Sequence, residues 1–158
     1  MQVLPPSVST DEHVRSTAAR KLKDQALLAD IAKTDNSDHV RSGAILNLED
    51  QAVLADIAKT DSDPRIRSSV VQNKLKDQKV LADIAKSDPF WTVRLSAVQK
   101  LADQTLLADI AQNDPDPNVR LNAIRKLNDQ AILEEIAKSE KSDYVRLEAE
   151  KRLKSLKH

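Results

Sequence analysis

Apolar residues along this chain recur in two short patterns that alternate. The first is DHVRSGAILNL, residues 38–48, where Val40, Ala44 and Leu48 fall at i, i+4 and i+8 with Ile45 beside them. That spacing makes one apolar stripe on a helix. The second is DQALLADIAKTD, residues 24–35. Leu27, Leu28, Ile31 and Ala32 make its apolar face, and Ala26, Ala29, Asp30 and Lys33 the opposite one. It returns as DQAVLADIAKTD at 50–61, DQKVLADIAKSD at 77–88, DQTLLADIAQND at 103–114 and DQAILEEIAKSE at 129–140, in steps of 26, 27, 26 and 26 residues. The first pattern returns around a VR or IR pair ending at Arg15, Arg41, Arg67, Arg94, Arg120 and Arg146. Self-similarity at such a period marks a stacked repeat protein. The patterns predict an all-α chain of short helix pairs, called A (the VR pattern) and B (the DQ pattern).

Start signals support the assignment. Asp24, Asp50, Asp77, Asp103 and Asp129 stand where each B helix needs an N-cap. Asp63-Pro64 and Asp116-Pro117 place a cap before a proline whose missing N–H costs nothing there. Ser37-Asp38 and Ser142-Asp143 offer a hydroxyl cap and an acid in the first turn. Phe90-Trp91 occupies that place in the fourth unit, so the cap is expected to move back to Asp88, with Pro89 as first helical residue. A residue or two between A and B implies antiparallel pairs. The 27-residue step reflects one extra residue, Asn73, expected to lengthen or bulge its A helix. Few apolar residues serve each unit, so stacking is obligatory. The layout is one solenoid domain over 1–158: a cap segment at 1–10, five two-helix repeats over 11–140, and a capping helix over 141–158. In the cap segment Val3 and Leu4 are placed to cover the first repeat. The position four after each Arg is Ala19, Ile45, Val71, Val98, Ile124 and then Glu150, a charge that reads as an end cap and implies a monomer.

An Asp stands six residues before the Arg in Asp35/Arg41, Asp61/Arg67, Asp88/Arg94 and Asp114/Arg120. With the prolines between them and a small residue three after Arg, the chain resembles the HEAT-repeat superfamily, above all its compact bacterial and archaeal members and the leucine-rich-repeat variants. The resemblance covers residues 11–158. It implies a right-handed α-α superhelix, Asp and Arg hydrogen-bonded along the stack, B helices lining a concave face, and a binding scaffold. Glu140 replaces Asp before Arg146, Ser9 stands where the first unit needs Asp, and the short unit suggests partly 3₁₀ helices.

Composition narrows the function. Lys plus Arg and Asp plus Glu number 25 each, a balance that disfavours a surface built to hold nucleic acid. There is no cysteine, which excludes disulfides, thiol catalysis and cysteine-held metal. Glycine occurs once, against any glycine-rich phosphate loop. MQVLPPSVSTDEHVR carries no signal-peptide pattern and no apolar run reaches membrane length, so a cytoplasmic, membrane-free protein is expected.

The arginines could form an anion-binding stripe, but acids at fixed spacing favour a structural ladder. Asp30, Asp56, Asp83, Asp109 and Glu135 form a second row, with Lys33, Lys59, Lys86, Gln112 and Lys138 three residues on. Two compatible readings stand here: a mixed-charge binding floor made shallow by Ala29, Ala55, Ala82 and Ala108, or i,i+3 surface pairing. Phe90 and Trp91 are either a partner hot spot or a staple onto the neighbouring unit, with Tyr144 in the corresponding turn later. Asp61/Asp63 and Asp114/Asp116 read as caps rather than calcium ligands. His13 and His39 read as exposed helix starts, and no catalytic, metal or cofactor set emerges. The expected function is a non-enzymatic scaffold holding an unidentified protein or peptide on the concave B face. The alternatives are a nucleic-acid-binding HEAT-like module or a structural spacer in a larger assembly.

Overall fold

The computed structural model describes residues 10–140 and 142–157. The expectations for Val3, Leu4, Ser9 and His158 lie outside them. The described residues form eleven helices and no strand: α1 (Glu12–Ala19), α2 (Gln25–Thr34), α3 (Asp38–Ile45), α4 (Gln51–Thr60), α5 (Pro64–Asn73), α6 (Gln78–Ser87), α7 (Trp91–Lys100), α8 (Gln104–Asn113), α9 (Pro117–Lys126), α10 (Gln130–Ser139) and α11 (Asp143–Leu156). Odd numbers are A helices and even numbers B helices. The fold is all-α, as the alternating patterns predict. No described helix is long and apolar enough to cross a membrane.

Every B helix starts as read. Asp24, Asp50, Asp77, Asp103 and Asp129 take extended backbone, and each carboxylate accepts an N–H of the first turn. This satisfies donors that no intrahelical carbonyl can reach. Asp63 and Asp116 cap α5 and α9 in the same way, with Pro64 and Pro117 opening the helix.

Other starts differ from expectation. Ser37 and Ser142 hold the N-cap positions without a side-chain cap bond. The Ser37 hydroxyl donates instead to Glu12 Oε2 at 2.8 Å, on α1. The fourth A helix does not move back to Asp88: Phe90 is its N-cap and Trp91 its first residue. The reason is that Asp88 is already committed, its Oδ1 accepting the Phe90 N–H at 2.9 Å. The same loop bond forms at Asp35, Asp61, Asp114 and Glu140. Shared loop geometry holds the register, and the aromatics replace Asp-Pro within it.

Asn73 is absorbed by a wide turn at the end of α5. The Leu75 N–H donates to Val70 O, five residues back, and Leu75 is 1% exposed. Leu101 and Leu127 reach three and four residues back at the equivalent place. The extra residue is bulged out so that the core leucine stays in. The first two A helices end in tighter i→i−3 turns, Leu22 to Ala19 and Leu48 to Ile45.

The backbone divides into two compact units, Met1–Leu75 and Lys76–His158. In the first, α2 packs closely on α3 and α4 on α5. In the second, α6 packs on α7, α8 on α9 and α10 on α11. The tight hairpin is thus a B helix with the A helix that follows, across the Asp loop. The A-to-B links α1–α2, α3–α4, α7–α8 and α9–α10 run three to five residues, longer than expected, and those pairs approach less closely. Along each unit A stacks on A and B on B: α1 on α3 and α2 on α4, then α7 on α9, α9 on α11 and α8 on α10. Gly43 serves the first of these contacts. A Cβ there would stand 3.2 Å from Ser16 O of α1.

The core is one leucine-rich layer per repeat. Leu28, Leu54, Leu81, Leu107 and Leu133 of the B helices are fully buried, as are Leu48, Leu101 and Leu127 after the A helices. Each such side chain contributes roughly 1.5–3 kcal/mol.

Candidate functional site

The arginine ladder is real, but its rungs join different partners from those the six-residue spacing suggests. Arg41 Nε and Nη2 each lie 2.9 Å from the Asp61 carboxylate, twenty residues on. Arg94 grips Asp114 at 2.8 and 2.9 Å, Arg15 grips Asp35, and Arg120 grips Glu140. The acid six residues before each arginine gives its backbone carbonyl instead. Arg41 Nη1 donates to Asp35 O, Arg67 to Asp61 O, Arg94 to Asp88 O and Arg120 to Asp114 O. Arg41, Arg94 and Arg120 therefore each tie their own loop to the next one with a fork of bonds that lysine cannot make. Glu140 is a full rung rather than a departure. Burial alone pushes the Asp35 carboxyl up, but the Arg15 guanidinium and the Ser37 N–H outweigh it and hold it below the usual range. The Arg94 and Asp114 side chains are only 8% and 5% exposed, so these groups are spent on the fold.

Two further ladders went unread. The Gln of each DQ pair looks like a solvated first-turn residue. Gln25 in fact bridges the next A-to-B turn, donating to Asn47 O at 3.0 Å and accepting from the Glu49 N–H at 2.9 Å. Gln78 does the same to Lys100 O and Ala102 N, and Gln104 to Lys126 O and Asn128 N. A glutamine kept in all five copies, while Ala26 drifts to Lys79 and Thr105, was the available signal. The third ladder caps A-helix C-termini. Lys74 Nζ donates to Leu46 O, Lys126 Nζ to Gln99 O and Arg152 Nε to Leu127 O. Cations there satisfy terminal carbonyls. Burial lowers the Lys126 pKa, and also that of Lys100, where nearby Lys76 adds to the effect.

What the ladders leave over is the B-helix face. Asp30, Asp83, Asp109, Glu135, Lys33, Lys59 and Lys86 are exposed there and Asp56 half-buried. Contacts on this face run between helices as well as along one, where Asn113 Nδ2 donates to Asp109 Oδ1 within α8. Lys33 pairs with Asp56 of the next B helix, and Gln112 Nε2 donates to Glu135 Oε2 at 3.3 Å. The i,i+3 reading of Asp30 with Lys33 is replaced by this cross-helix rung.

Clefts open between the C-terminal ends of neighbouring B helices. One of about 380 Å³ in the first unit holds Lys33, Arg41 and Thr60. One of about 420 Å³ holds Lys86, Arg94, Asp109 and Asn113, and one of about 520 Å³ holds Gln112, Asn113, Arg120, Glu135 and Ser139. All three repeat one position, with the locked arginine as floor and B-helix side chains as walls.

The remaining candidates stand apart. Phe90 and Trp91 are 48% and 41% exposed at the start of α7. Tyr144 is the second residue of α11, not a turn residue, and is 60% exposed. His13 and His39 are exposed in first turns. Asp61 and Asp114 accept the N–H of Asp63 and Asp116, which in turn cap α5 and α9. Among the described residues no three His, Asp or Glu side chains gather where they could hold a metal. Comparisons with protein-family models, with curated proteins and with solved structures return no match.

Proposed function

We propose that this chain is a HEAT-like, non-enzymatic binding scaffold that holds a protein or peptide on its B-helix face. One observation carries the reading: a cleft of the same kind recurs between successive B helices, above a framework whose polar groups are already used. The Arg, Asp and Gln ladders bind repeat to repeat. Some B-face positions between them differ in particular copies: Lys79 and Thr105 stand where Ala26, Ala52 and Ala131 do, and Gln112 where Lys33, Lys59, Lys86 and Lys138 do. A fixed frame presenting a varied, grooved surface is the arrangement repeat scaffolds use for recognition. Asp and Lys alternating along the face speak against the nucleic-acid alternative, which needs one sign of charge.

The test is affinity capture from the source cell with the parent chain and with Asp56, Asp83 and Asp109 all changed to Lys. The reading expects the triple variant to lose its partner while circular dichroism stays unchanged. Capture that survives there but disappears in Trp91→Ala would move the site to the start of α7.

A further inference from the structure

We draw no further inference here: the strongest candidate, the open apolar face of α1, where Val14 is 55% exposed although its counterparts Val40, Ile66, Val93, Val119 and Val145 are buried, carries nothing because nothing in the structure shows what covers it.

Discussion

Arg94 shows how one side chain holds two repeats. Its Nη1 closes its own loop on Asp88 O, and its other edge takes both oxygens of Asp114. Arg94→Ala should therefore cost about 3 kcal/mol or more, because it strands a buried carboxylate. Arg94→Lys should recover only part, since an ammonium cannot span both partners. Urea denaturation of the three proteins measures both, and an unchanged midpoint in Arg94→Ala would contradict a structural ladder. Acid should reveal the same chemistry. The Arg65 guanidinium, hydrogen-bonded to Asp63, pulls its pKa from 3.8 to about 2, and Asp35 is also lowered. A carboxylate lowered in the folded state binds fewer protons there than when unfolded. Its stabilisation is complete above the ordinary carboxylate range and is lost as pH falls toward about 2. Melting temperature should drop between about pH 5 and pH 2, and Asp63→Asn should flatten that slope. The six-residue Asp–Arg spacing was legible, but the partner was not. The carbonyl lies near in sequence, whereas the carboxylate that fits the fork is twenty residues away and becomes a neighbour only through stacking.

Element boundaries were largely legible because caps are local. An Asp before an apolar run names its own N–H partners, and five B helices start as their Asp residues say. The starts at Phe90 and Ser37 were not legible, because a bond spanning two residues of the loop decides the first and a bond to another helix the second. Asp88 serves its loop, and Ser37 is drawn to Glu12 on another helix. The glutamine ladder was invisible because its bridging partners lie more than twenty residues away, as those of Gln25 do at Asn47 and Glu49. Gln104→Ala should cost about 1–2 kcal/mol by freeing Lys126 O and the Asn128 N–H together. Hydrogen exchange at the Asn128 amide should speed up, with the amides inside α8 unchanged. Exchange at Asn128 that does not move would show that the bridge contributes nothing.

At the scale of the molecule, the repeat period and the all-α fold were legible, since apolar periodicity writes them on every copy. The pairing of each B helix with the following A helix was not, because the sequence can be cut into repeats at either loop. On α11, Glu150 and Lys154 are exposed where α9 buries Ile124 and the chain buries Leu127. They share a face with Leu147, which is 47% exposed. Glu150→Ile with Lys154→Ala makes that face apolar and should drive concentration-dependent association, measured by light scattering. A variant that scatters like its parent at every concentration would show that these charges do not guard the helix. The central claim is that recognition happens on the B helices. Hydrogen exchange of the chain, alone and with its captured partner, tests it most directly. The account predicts that the partner slows exchange in α4, α6, α8 and α10 and in the loops at their C-terminal ends. Slowing confined to α7, α9 and α11, with the B helices unaffected, would contradict it.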